Sequence, residues 1–208
     1  SYAIGFDELN YDYIRYPSDG PMSDAVYVNQ RKPETLETFF KFLHEEVKPT
    51  GVVMSADLFG MVTTNSDDLN IGQVLERALP YFDYIAPMVY PSHYPAGFHG
   101  LSNPNKNVYE VIRFAMAEGV KRALATTTTV AAFAHIPVAS TSPQVYTKPV
   151  YDKLKLRPWL QDFNYGGTYG PEEIRLQIKA SEDVGLNSYM FWDPGNKYNS
   201  LRQVLAPN

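Results

Sequence analysis

Gly5-Phe6-Asp7-Glu8-Leu9-Asn10-Tyr11-Asp12-Tyr13-Ile14-Arg15-Tyr16-Pro17 reads as a strand that ends in a carboxylate, an arginine and a stop signal. Side chains alternate along a strand, so Glu8, Asn10 and Asp12 share one face and Leu9, Tyr11 and Tyr13 the other. An unpaired buried carboxylate is costly, so a strand with this many polar groups more often lines a site than fills a core. The polar face converges on Asp12, and the opposite face is free to pack against helices.

Outward from that stretch the pattern alternates. Strands are predicted at 4–13, 52–57, 81–90, 155–163 and 187–192. Helices are predicted at 33–47, at 70–79 with Asp67 or Asp68 as cap, at 108–118 after Asn107, at 171–184, and near 200–205. In the first helix Pro33 and Glu34 suit the opening turn, and Leu36, Phe39, Phe40 and Leu43 form the apolar face. Strands separated by helices imply a parallel sheet. The site of such a fold lies at the carboxyl ends of its strands. There the loops Arg15–Asp19, Asp57–Asn65, Tyr90–Gly100, Asp162–Tyr169 and Asp193–Asn199 would face one mouth.

A doubly wound sheet is disfavoured because no GxGxxG and no P-loop follows an early strand, and no cofactor is expected. The fold expected is α/β, a TIM (β/α)8 barrel of which about five C-terminal β/α units are present. Residues 1–208 then form one partial barrel domain. Residues 119–152 fit the alternation poorly and are expected to be an inserted excursion over the mouth, with a short helix at most. The chain opens on Ser1 almost directly into a strand, which suggests a piece of a longer protein.

Composition narrows the function. The 208 residues carry 18 Lys+Arg against 23 Asp+Glu, a formal charge of −5, which argues against nucleic acid as partner. No apolar run approaches the ~20 residues of a transmembrane helix. Cysteine is absent, which removes disulfides, thiolate catalysis and zinc–cysteine sites. Aromatic residues make up 14%, including 16 Tyr, many of them in loops where flat rings can pack on sugar faces.

Asp12 and Asp57 are read as the tips of consecutive strands, ~4.8 Å apart. Paired carboxylates at that scale suit glycosidic-bond cleavage, which uses separations of ~5–5.5 Å in retaining and ~6.5–9.5 Å in inverting enzymes. Asp12 is the candidate nucleophile or transition-state stabiliser, and Asp57 the candidate general acid/base with burial raising its pKa. Arg15 would hold a carboxylate ionised. Tyr90, His93, Gln161, Asp162, Trp192 and Asp193 are candidate substrate-binding residues, with Trp192 as the floor of a sugar subsite. His44, His93, His99 and His135 are scattered, so zinc is not expected. Asp12, Asp57, Asp162 and Asp193 could together surround a harder divalent cation.

The blocks GFDELNYDYIRYPSDG, SADLFGMV, YFDYIAPMVYPSHYP, LRPWLQDF and YMFWDPGNKYN resemble, in this order, the glycoside-hydrolase-like domain family of bacterial exported or surface proteins. That resemblance implies a TIM barrel beginning upstream of Ser1, distant kinship with glycosidases, and an extracellular or cell-surface location. It places Asp12 at the tip of the fourth barrel strand. Met88-Val89-Tyr90 and the Trp192 strand are similar to chitinase-superfamily barrels, but their DxxDxDxE pattern is absent, which fits an aspartate pair better than substrate-assisted chemistry. The function implied is hydrolysis of O-glycosidic bonds in a polysaccharide or oligosaccharide. The alternatives are a catalytically inactive carbohydrate-binding barrel and a metal-dependent polysaccharide hydrolase or deacetylase.

Overall fold

The computed structural model describes residues 1–27, 31–132 and 135–206. In chain order the elements are β1 (Glu8–Tyr11), α1 (Lys32–Val47), β2 (Val53–Phe59), α2 (Leu75–Ala78), β3 (Tyr84–Met88) and α3 (Val108–Leu124). There follow β4 (Thr127–Thr128), β5 (Ile136–Val138), β6 (Val145–Thr147), β7 (Trp159–Gln161), α4 (Pro171–Asp183), β8 (Met190–Trp192) and α5 (Asn199–Leu205). The main sheet has the order β1-β2-β3-β7-β8, and every pairing in it is parallel.

This sheet is a half-barrel. Glu8 on β1 pairs with Arg157, which lies two residues before the start of β7, three places along the sheet. In a flat sheet those strands would stand about 14 Å apart, so the two side chains meet because the sheet curls around them. Register sorts the two faces. Leu9, Met54, Ala56, Leu58, Ile85 and Leu160 point to the convex side, and all but Leu9 are fully buried. Helices cover that side with Leu36 and Phe40 of α1, Leu75 and Ala78 of α2, Val111, Ile112, Ala115 and Met116 of α3, and Ala180 of α4. Their spacing of three and four residues is what an amphipathic helix needs to press one stripe on a sheet. Burying each large side chain contributes about 1.5–3 kcal/mol. The concave side carries Glu8, Asn10, Ser55, Asp57, Trp159 and Gln161 instead.

Several expected elements are shorter than the apolar patterning implied. The first strand keeps only Glu8–Tyr11, because Tyr2–Ile4 forms a 3-10 turn closed by Gly5 at φ 99°. The helix expected over 70–79 reduces to Leu75–Ala78, since Asp68 accepts from the N–H groups of Asn70 and Gly72 and holds 68–72 in a turn. Phe39 sits 42% exposed and off the buried stripe of α1. Asp57 lies inside β2, two residues before its end, and not at the tip.

The excursion also differs from expectation. Helix α3 runs on to Leu124, and β4, β6 and β5 then form a separate antiparallel sheet. The stretch predicted as a loop includes residues 133–134, which lie outside the described residues. This sheet does not cover the mouth. It follows a helix and precedes a parallel strand, a connection that lies at the amino ends of the strands. Lys148 fastens it there. The Lys148 ammonium, 7% exposed, donates to the carbonyls of Ala123 at 3.0 Å and Pro149 at 2.9 Å. Cation and helix C-terminus are complementary, and burial lowers the pKa of this lysine.

Gly60, directly after β2, is required by close approach. A Cβ there would lie 2.3 Å from the Met88 carbonyl oxygen and 2.8 Å from the Tyr94 hydroxyl. Backbone cannot yield as a flexible side chain would, so Gly60→Ala is expected to cost about 3 kcal/mol or more. A urea midpoint equal to that of the unmodified protein would show that β2 and β3 are not held this closely.

Candidate active site

Asp57 is the centre of the concave face. It is 4% exposed, and both of its oxygens accept hydrogen bonds. The Trp159 indole Nε1 donates to Oδ1 at 2.7 Å, and Asn10 Nδ2 donates to Oδ2 at 2.8 Å. Burial pushes the carboxyl up to about 6; the two hydrogen bonds oppose that shift, the Asp12 charge adds to it and the Arg157 charge reduces it. A carboxyl that titrates near neutrality in a half-enclosed face is suited to hold and release a proton.

Beneath Asp57 lies a second polar layer. Ser55 Oγ sits 2.6 Å from Glu8 Oε1 and 2.7 Å from Asn10 Oδ1. Arg157 reaches both Glu8 oxygens, with Nη1 at 3.1 Å from Oε2 and Nη2 on Oε1. The same guanidinium stacks over the Tyr84 ring, 4.2 Å from its centroid. The alternation of Glu8, Asn10 and Asp12 set against Ser55 and Asp57 pointed to this face. Residue order shows that Trp159 and Gln161 share a face, but not that Trp159 donates to Asp57 or that Arg157 binds Glu8; these contacts appear only when β7 is set in register beside β3.

Asp12 follows the last pair of the β1–β2 ladder, Tyr11–Ala56, so it is level with Asp57 on the neighbouring strand. It is exposed, and its Oδ1 accepts the N–H of Tyr13 at 2.7 Å. Tyr13 has φ 55°, a left-handed conformation that turns the chain away from the sheet. Arg15 does not reach Asp12 or Asp57. Its guanidinium bonds Ser18 Oγ at 2.8 Å and Asp19 Oδ2 at 3.1 Å, and rests 5.1 Å from the Tyr13 ring centroid. The expected charge partner of the carboxylates is therefore an ion pair within its own loop. The guanidinium whose charge acts on Asp57 is that of Arg157.

The remaining predicted residues divide into a wall and a scaffold. Tyr90 is 8% exposed; burial raises its pKa, and the charges of Asp57 and Asp12 raise it further. It stays a phenol donor beside the two carboxylates. His93 packs edge-on to Tyr90 and Phe163, with ring centroids at 5.4 and 6.2 Å, and burial lowers its pKa toward the neutral form. Exposed Tyr165 stands 5.7 Å from the same imidazole. Trp192, 43% exposed, sits edge-on to Trp159 at 6.1 Å. These rings give the mouth flat apolar surface next to acid groups.

Gln161, Asp162 and Asp193 hold the loops. Gln161 is fully buried; its Oε1 accepts from Ser92 Oγ at 2.9 Å and its Nε2 donates to the Phe163 carbonyl at 2.9 Å. Asp162 accepts the N–H of Leu201 at 3.2 Å, and burial raises its pKa. Asp193 accepts three backbone N–H groups, from Gly195 at 2.9 Å, Lys197 at 2.8 Å and Tyr198 at 3.0 Å. Those bonds, Tyr198 first, hold its carboxyl below the ordinary range against the effect of burial. The four aspartates considered for a cation are thus spent on separate partners. Among the described residues no three His, Asp or Glu side chains group to hold a metal ion. No helix of the described residues is long and apolar enough to cross a membrane.

Fold and site together define an α/β half-barrel whose carboxylates and aromatic rings gather at the carboxyl ends of its strands. The chain belongs to the family described as "Putative glycosyl hydrolase domain", whose model matches residues 1–198. Among solved structures it is similar to the PgaB (BpsB) glycoside hydrolase domain from Bordetella bronchiseptica. That match has 17% identity and a TM-score of 0.49 over 85% of this chain and 43% of that one. It is also similar to the spore cortex-lytic enzyme SleL from Bacillus megaterium QM B1551, at 9% identity and a TM-score of 0.45 over 93% of this chain and 47% of that one. The chain thus spans less than half the length of either structure. No curated protein matches it.

Proposed function

We propose that this chain is part of a (β/α)8 glycosidase barrel that hydrolyses O-glycosidic bonds of a polysaccharide, at the cell surface or outside the cell. The observation that carries this reading is Asp57: a buried carboxyl, braced at both oxygens and level with Asp12, whose pKa burial raises. In this reading Asp57 protonates the leaving glycosidic oxygen as that bond breaks, and then takes a proton from the incoming water. Asp12, exposed at the mouth, stabilises or attacks the positive sugar carbon. Tyr90 offers a hydroxyl donor to a sugar oxygen, and Trp192, His93 and Tyr165 pack on the sugar face.

A polysaccharide screen with the unmodified protein, Asp12→Asn and Asp57→Asn tests the assignment. Each substitution is expected to lower turnover by about 10²–10⁴-fold with binding retained. Activity kept in full by both variants would overturn the roles. Glycan binding with no turnover in the unmodified protein would favour the carbohydrate-binding barrel.

A further inference from the structure

The hydrogen bonds below Asp57 contain a proton-count conflict. Ser55 has one hydroxyl proton but lies 2.6 Å from Glu8 Oε1 and 2.7 Å from Asn10 Oδ1, and both of those oxygens accept. Arg157 donates to both Glu8 oxygens, so Glu8 stands in this layer as an acceptor. The strongest use of the Ser55 proton is therefore toward Glu8. The Asn10 group facing Ser55 must then be a donor.

Turning the Asn10 carboxamide over resolves the conflict. Its NH2 and C=O exchange places within the same two contacts. The NH2 then donates to Ser55 Oγ, and the carbonyl oxygen faces Asp57 Oδ2 at the 2.8 Å contact. Two acceptors cannot share that distance, so Oδ2 must carry a proton. The opposite arrangement, with the NH2 toward an ionised Asp57, sends the Ser55 proton to Asn10. It leaves Ser55 and Glu8 as two acceptors 2.6 Å apart. One unmet buried hydrogen bond of this kind is costly.

We propose that Glu8, held by Arg157, acts through Ser55 and Asn10 as a set of positioning residues that selects the protonated form of Asp57, with the Asn10 carboxamide turning over each time that proton leaves or returns. The other charged or titratable groups facing Asp57 are Asp12 beyond β1, Arg157 before β7 and Tyr90 beyond β3. Replacing Ser55 by alanine adds or removes none of these charges. The catalytic value of the switch rests on Asp57 being the acid. As its Oδ2–H bond breaks and the leaving oxygen gains the proton, the returning NH2 of Asn10 donates to the new carboxylate.

The test needs no substrate, so it stands apart from the glycosidase reading. Asp57 is titrated by the carbon resonance of its carboxyl in the full chain, unmodified and as Ser55→Ala. This substitution alters no charge and removes one oxygen from a small, fully buried residue. With Ser55 gone, Asn10 is free to keep its NH2 on Asp57. The midpoint is expected to fall by about one pH unit, a tenfold loss of the protonated form at a given pH. In the unmodified protein the side-chain NH2 resonance of Asn10 is expected to titrate with the same midpoint as Asp57. A purely structural Ser55 would change melting and leave the midpoint in place. Either an unchanged midpoint in Ser55→Ala or an Asn10 signal that is flat through the Asp57 titration overturns the proposal. The second readout requires no variant to fold.

Discussion

Asp57→Asn is expected to make the protein more stable at neutral pH while removing any hydrolysis it performs. The sign follows from linkage. The Asp57 carboxyl titrates at about 6 in the fold against 3.8 for an ordinary aspartate, so the folded form holds its proton more tightly than the unfolded chain. Stability from this group is complete below pH ~4 and is lost as pH rises through 6. A difference of that size between folded and unfolded chain corresponds to about 3 kcal/mol. Asparagine mimics the protonated acid: its oxygen accepts from Trp159 and its NH2 can meet a turned Asn10 carbonyl. Chemical denaturation between pH 4 and 8 measures the effect. The unmodified protein should lose stability over that range relative to the variant, by about 2–3 kcal/mol at pH 7–8. Parallel pH profiles would mean that Asp57 is not held as a raised acid, and its assignment would fall with it.

Arg122→Ala is expected to destabilise the fold by about 3–5 kcal/mol, much of the 5–15 kcal/mol typical of a whole domain. From α3, Arg122 Nε donates to Glu76 Oε1 at 2.8 Å, and its Nη2 binds Glu76 Oε2. Its Nη1 reaches the carbonyls of Val62 at 2.5 Å, Thr63 at 3.1 Å and Asn65 at 2.7 Å. Glu76 is 2% exposed, so removing the guanidinium strands a buried carboxylate and frees three carbonyls. Arg122→Lys should recover only part of the loss, because an ammonium cannot present the same fork. Adding Glu76→Met to an Arg122→Met variant should recover more, since the stranded charge is then gone. If the double variant is no better than Arg122→Ala, the carbonyl contacts and not the charge carry the effect. Urea midpoints at constant m-value read the series.

Much of this was legible from residue order. Alternation along Glu8, Asn10 and Asp12 separated a polar face from an apolar one, and the strand–helix rhythm implied a parallel sheet with its loops at one mouth. Element lengths were less legible. Backbone N–H bonds accepted by side chains such as Asp68 and Asp193 compete with helix and strand, and periodicity does not register them. Arg15 and Arg157 show the same limit for the site. Arg15 is near Asp12 in sequence but spends its guanidinium on Ser18 and Asp19. Arg157 is 149 positions from Glu8 and closes on it because the sheet curls.

Local chemistry therefore established which residues alternate and that the strands are parallel, because these follow from backbone geometry over a few residues. The state of Asp57 was a matter for the assembled sheet. Its proton is governed by Trp159, Asn10, Ser55, Glu8 and Arg157, drawn from strands far apart in the chain, and burial and proton count exist only once those groups share one concave face.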